Sequence, residues 1–479
     1  MDETLINISS TEESSKINEE VDNPQQLHFS DEPVWRSMIV FLIPLILSNA
    51  LQSVGQLFGS IVVGRWLGVE ALAAISAFFP LFFLIISFTI GIGAGSSILI
   101  GQAYGAQNIE RMKAIVGTTL TFTFLLGLVL ALIGGIFTWE VMGLIGTPAN
   151  IIAVSVRYAR ILFWSMPIMF LYFAYTTFMR GTGDSKTPFY FLIVSTVINT
   201  GLLPFLIFGW LGLPKFGLYG AAYASVVSTI ITFILMLIYL SKTNHPLRFD
   251  KSVRQYLQID IGLLKLLLRL GIPSSINMIL VSLSEIAVIT FVNRFGSDAT
   301  AAYGAVNQVV SYVQMPAVSL GIAVSVFASQ AIGANQLDKL KDVIRTGVLL
   351  NYIVGGILII LVYLFSQNIL SWFITSTDTL NIAHSLLMIT LWSYLIFGHA
   401  QIITATMRAS GTVLWPTVFS IVSIWFVEVP VAYSLSQYSS LGIQGIWIGY
   451  PAAFLVSLIL QYSYYRWSWK KQRITRLVH

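Results

Sequence analysis

The stretch Leu280-Val-Ser-Leu-Ser-Glu-Ile-Ala-Val-Ile-Thr-Phe-Val-Asn293 is an apolar run with one carboxylic acid, Glu285, in its interior. An acid at the centre of a membrane-spanning helix costs about 2.5–3.5 kcal/mol on the gentlest scale, so a residue kept there is read as functional. Glu428 is the one other acid in a comparable setting. The chain around them fits a bilayer. Of 479 residues, 56% are hydrophobic and only 10% charged, against about a quarter charged in soluble domains.

Twelve apolar segments, each near the length of a spanning helix, follow one another at approximately 38–63, 74–100, 114–137, 153–179, 187–209, 217–240, 263–293, 301–328, 344–366, 383–407, 413–436 and 442–465. Residues 1–36 are polar and acidic with no apolar core of a signal peptide, and read as a disordered cytoplasmic tail. The basic residues sit in short loops. If the amino terminus is cytoplasmic, that side carries most of them, including Arg111, Lys113, Lys242, Arg248, Lys251, Lys339 and Lys341. The other side holds Arg65, Arg157, Arg160, Lys215 and Arg294. Both termini are therefore expected inside, in a multi-pass plasma (inner) membrane protein. The net charge of +5 is topogenic and implies no nucleic-acid partner.

The polar, basic segment 241–262 divides the chain into an N-lobe at 37–240 and a C-lobe at 263–465, with a basic tail at 466–479. A gap-free shift of 228 residues superimposes the halves: Gly68 on Gly296, Gln102-Ala103 on Gln330-Ala331, Gly105-Ala106 on Gly333-Ala334, Lys113 on Lys341, Trp164-Ser165 on Trp392-Ser393, Met179-Arg180 on Met407-Arg408 and Pro188 on Pro416. Matched polar and aromatic residues at one offset mark an internal duplication. Six spans per copy is an even number, so the copies insert in parallel. The expected fold is an all-α membrane protein, two parallel six-helix lobes around a central cleft.

Several stretches resemble the multidrug and toxic compound extrusion (MATE) family: Gly64-Arg-Trp-Leu-Gly-Val-Glu-Ala-Leu-Ala-Ala74, Gly101-Gln-Ala-Tyr-Gly-Ala106 and Met179-Arg-Gly-Thr-Gly-Asp-Ser-Lys-Thr-Pro188, with Asn293-Arg-Phe-Gly-Ser-Asp-Ala-Thr-Ala-Ala302, Gln330-Ala-Ile-Gly-Ala334 and Met407-Arg-Ala-Ser-Gly411 in the second copy. The resemblance implies secondary antiport, with a proton or sodium ion entering as an organic, often cationic compound leaves. It also exposes a departure. Many prokaryotic members carry an aspartate in the first span where Gly59 stands here, and a second acid in the fifth span where Leu203 stands. The resemblance therefore directs coupling to the C-lobe, where Glu285 is the available acid.

Counting at 1.5 Å per residue from the inner edge puts Glu285 and Glu428 both roughly 20 Å deep, slightly outside the midplane. A carboxyl held out of water prefers its neutral form, and a neighbouring acid strengthens that preference in one of the pair. Such a pair suffices to carry a proton. With hydroxyls and amides it could instead hold sodium. Packing roles are the competing account, and Pro430 beside Glu428 frees a carbonyl that needs a donor. Substrate-cavity candidates are Asn307, Gln308 and Tyr312 in the eighth span, Trp392, His399 and Gln401 in the tenth, and Gln52 and Gln56 in the first. Trp164, Tyr172, Tyr175, Trp392, Tyr394 and Trp425 offer rings to a cation, although most such rings pack or line the interface.

The absence of Gly-x-x-x-x-Gly-Lys-Ser/Thr excludes an ATP-driven pump of the phosphate-loop type. There is no cysteine and no metal-binding spacing, so no cofactor, no metal and no enzyme activity are expected. The resulting expectation is a proton-coupled multidrug efflux antiporter for amphipathic cations, functional as a monomer in the lipid bilayer. Three rivals stand beside it: sodium coupling on the same fold, a lipid-linked oligosaccharide flippase, which would line its cleft with several cations, and a non-transporting receptor, whose ligand affinity would survive Glu285→Gln.

Overall fold

The computed structural model describes residues 33–212 and 214–478. The acidic tail expected at 1–36 lies almost wholly outside them. Among the described residues, twelve helices are long and apolar enough to cross a membrane: α1 (Val34–Leu67), α2 (Glu70–Gly105), α3 (Ile109–Ile136), α4 (Ile152–Gly181), α5 (Lys186–Phe208), α6 (Leu218–Lys242), α7 (Ile261–Asn293), α8 (Ser297–Gly333), α9 (Leu337–Leu364), α10 (Thr377–Ala409), α11 (Leu414–Tyr438) and α12 (Ile443–Lys471). Several extend well past the apolar segments read from the sequence, because their last turns continue through polar residues. Helices are forced by the solvent: with no water to take up N–H and C=O groups, each span must satisfy its own backbone. Polar caps start the helices where they leave the bilayer, as Asn108 accepts from the Arg111 N–H and Asp260 from the Leu263 N–H. Between α6 and α7 the chain forms a short helix, Lys251–Gln255.

The duplication is written in the backbone. Left-handed φ angles recur at the same offset, at Gly68 and Gly296 (86° and 99°), Gln107 and Asn335 (55° and 60°), and Gly183 and Gly411 (89° and 88°). These are the turns that end equivalent helices, and they make both lobes fold alike.

The lobes do not merely sit side by side. The first half of α1 packs into the C-lobe, with Met38, Phe41, Leu42 and Leu45 against Leu320, Val324 and Phe327. The first half of α7 returns the exchange, burying Leu263, Leu267 and Leu270 among Ile98, Tyr175 and Phe178 of the N-lobe. At the opposite end the cores are separate. Val62, Val63, Leu203 and Ile207 cluster within the N-lobe, and Val288, Val306, Trp447 and Tyr450 within the C-lobe. The lobes are thus sealed on the face that bears the described termini and parted toward the other, the architecture of a cleft.

Candidate functional site

The half of the C-lobe away from the described termini gathers acids and tyrosines from five helices. Glu285 projects from α7 and is half-buried. Its Oε2 accepts hydrogen bonds from the Tyr303 hydroxyl of α8 at 2.7 Å and the Tyr450 hydroxyl of α12 at 3.1 Å. The two hydroxyls are themselves 2.8 Å apart. Tyr303 stacks on the fully buried Trp447 ring at 5.9 Å and 9°, which fixes the direction of its hydroxyl. Hydroxyl donors to one carboxylate oxygen are short and strong, so this oxygen is held rather than mobile.

Glu428 lies in α11 and is only 4% exposed. Its Oε1 has no hydrogen-bond partner among the described residues. It ends a π-helical turn, Ile424–Glu428, inserted between Leu414–Ser423 and Val429–Tyr438. Pro430 supplies the local cause. It has no N–H for the preceding turn and its ring crowds it, and such breaks concentrate at functional sites. The turn is tied to α7 by Trp425, whose Nε1 donates to the Leu280 carbonyl at 3.2 Å. Glu285 and Glu428 lie within electrostatic range of each other and of Tyr394. The structure therefore brings together the two acids that matching depth had paired, and adds Tyr303, Tyr450 and Tyr394. Nothing local in the sequence marked Tyr303 or Tyr450; Tyr394 stood out only as a ring for a cation.

The cavity candidates separate. Asn307 sits one turn from Tyr303 and faces the same hydroxyl. Gln308 and Tyr312 share a helix face, with Nε2 to hydroxyl at 3.4 Å. Trp392 does not lie on the regular helix its spacing from His399 implied. A 3-10 turn at Leu391–Ser393 interrupts α10 there, and the Trp392 N–H donates to the Tyr363 hydroxyl at 3.1 Å. His399 pairs instead with Tyr352 of α9, Nδ1 to hydroxyl 3.0 Å. Gln401 is half-buried farther along α10. Gln52 and Gln56 are exposed on the second half of α1, while Asn49 on the same face donates to Ser319 Oγ across the lobes at 3.0 Å. Tyr172 and Tyr175 are buried in the core and offer no free ring face. Among the described residues, no group of three or more His, Cys, Asp or Glu could hold a metal.

A family model described as MatE matches residues 44–205 and 273–434, once in each half. A Bacillus subtilis (strain 168) protein described as the probable multidrug resistance protein YoeA is 72% identical over 449 residues, which covers 94% of this chain and 97% of that protein. The multidrug export protein MepA of Staphylococcus aureus (strain MSSA476) is 22% identical over 412 residues, 86% of this chain and 89% of that one. Among solved structures, an outward-facing multidrug resistance MATE transporter superposes with a TM-score of 0.82 at 21% identity, covering 91% of this chain and 96% of its own. A Vibrio cholerae MATE transporter reaches 0.84 at 19%, covering 92% and 98%.

Proposed function

We propose that this chain, which belongs to the MatE family, exports amphipathic organic cations in exchange for protons by alternating access, coupling the two movements through Glu285 and Glu428. It is a multi-pass membrane protein and a multidrug efflux transporter of that family. The observation that carries the finer reading is the unequal treatment of the two acids. Glu285 has one oxygen bound by two tyrosine hydroxyls, while Glu428 is buried beside it with an unpartnered oxygen. A carboxylate ion without donors in this setting is costly, whereas a protonated carboxyl is not. Glu428 then serves as the neutral partner, and Glu285 as the acid that pairs with the cation.

In the cycle this implies, a cation in the cleft pairs with Glu285. A proton arriving from the open face neutralises that carboxylate and the cation leaves. The loaded C-lobe then reorients, and the proton is released at the opposite face. The Tyr303–Tyr450 hydroxyl pair offers a short path for the proton between Glu285 and the interior. By the distribution of Lys and Arg, the sealed face is the cytoplasmic one. The protein works as a monomer with no cofactor besides the coupling ion.

The test is efflux of a fluorescent organic cation from proteoliposomes under an imposed pH or sodium gradient, with Glu285→Gln and Glu428→Gln beside the parent. Loss of proton-driven flux in both supports the pair. Full flux in both removes these residues from coupling, and flux driven by sodium but indifferent to pH replaces the proton by sodium.

A further inference from the structure

We propose that Gln102 and Gln330 form a paired latch that holds the terminus-bearing face shut. The idea rests on the alternating-access reading above. Both glutamines are 1% exposed. Gln102, near the end of α2, donates from Nε2 to the Ala409 carbonyl at the end of α10, 2.7 Å away. Gln330, near the end of α8, donates to the Gly181 carbonyl at the end of α4, 3.0 Å away. Each side chain thus crosses from its own lobe to the last turn of a helix in the other. There the final carbonyls lack partners within the helix, so an external donor is worth most.

The two bonds are copies of each other. The offset of 228 that carries Gln102 to Gln330 also carries Gly181 to Ala409. A contact repeated about the pseudo-twofold axis with donor and acceptor on opposite lobes is a property of the closed seam, since neither lobe makes it alone. The backbone is cut to allow it. A Cβ on Gly105 would overlap the Gln330 carbonyl, and one on Gly333 would overlap the Gln102 carbonyl. Gln102 has a further partner, because its Oε1 accepts the Leu477 N–H at 2.7 Å. That strap is seated by buried Trp469 and Val478, with Trp469 Nε1 on Ser410 Oγ at 2.9 Å. Opening this face requires every one of these cross-lobe bonds to break while their groups rehydrate.

The chain contains no cysteine, so one introduced thiol reports cleanly. Ser329 is fully buried and faces Gly101 across the seam. Ser329→Cys in the full chain, reconstituted in proteoliposomes, is labelled with a membrane-impermeant maleimide applied from each side in turn. Gln102→Leu and Gln330→Leu should each raise the labelling rate from the terminus-bearing side about tenfold, the scale of one buried hydrogen bond and its orphaned partner, and the double variant further. Gln102→Met and Gln330→Met, which keep the length of the side chain and remove its polar end, should match the leucine variants. If either leucine variant fails to accumulate, the two methionine variants carry the test. Rates within twofold of the parent in the double variant, or in both fallback variants, would overturn the latch and leave the seam to apolar packing. Labelling needs no transported substrate: a response without any flux in the parent would keep the latch and sink the efflux reading instead.

Discussion

At the place in the C-lobe where Glu285 accepts from Tyr303 and Tyr450, the N-lobe is built from other residues. The shift of 228 puts Leu57 opposite Glu285, Ile75 opposite Tyr303, Thr200 opposite Glu428 and Ala222 opposite Tyr450. The helices differ in the same sense. Each N-lobe span is a single uninterrupted α-helix, four of them with a proline inside, at Pro44, Pro80, Pro167 and Pro204. In the C-lobe, α9 contains a π turn at Asn351–Gly355, α10 a 3-10 turn and α11 a second π turn. Two of these breaks are joined, because Asn351 donates from Nδ2 to the Leu395 carbonyl at 2.9 Å. One duplicated scaffold has thus been kept regular on one side and made polar and irregular on the other. The lesson is that the repeat supplies the cleft and the departures from the repeat supply the chemistry.

The comparison is broken most directly at its acids. Glu285→Gln should lower proton-driven efflux by about a hundredfold, since the amide cannot titrate, whereas Gln56→Leu, beside the matching N-lobe position Leu57, should leave coupling within about threefold. Equal losses in both would mean that the lobes share the task. Next in size is Tyr303→Phe, which keeps the stack on Trp447 and removes one donor to a carboxylate. Efflux at neutral pH should fall about tenfold, and the longer contact makes Tyr450→Phe the milder change. Initial rates across a pH series read this, and an unaltered profile in Tyr303→Phe would leave the hydroxyl without a role.

The irregular helices give a stability test. A methyl at Gly398 would overlap Asn351 Oδ1, while one at Gly59 would meet nothing within 4 Å. Gly398→Ala should therefore destabilise by about 1–3 kcal/mol, and Gly59→Ala should be neutral or stabilise by up to about 1 kcal/mol. Melting of the purified protein in detergent distinguishes them. The smallest effect is expected at His245, outside the spans. Burial pushes its imidazole below the usual value, against the pull of Asp184 4.0 Å away, and its Nδ1 accepts the Leu247 N–H. The folded state then binds fewer protons here than the unfolded chain, so stability is full above about pH 6.5 and declines as pH falls below it. His245→Gln should flatten the drop in melting temperature between about pH 6.5 and 5, and an unchanged slope would place the titrating group elsewhere.

By itself, the sequence determined the twelve spans, the duplication and the exceptional status of Glu285. Each is one-dimensional: hydropathy is summed along a window, the repeat is a constant offset, and an acid in an apolar run is visible without knowing its neighbours. It also showed Gln102 and Gln330 as matched residues, though not what they touch. Only the tertiary structure decided that Tyr303 and Tyr450 hold Glu285, that Glu428 is left with an orphaned oxygen, and that the first halves of α1 and α7 pack into opposite lobes. Hydrogen bonds of about 3 Å depend on how each helix is rotated and bent, and a single π turn re-aims every side chain beyond it. Those rotations are set by packing between segments far apart in the chain, such as Trp447 against Tyr303, and no local pattern records them.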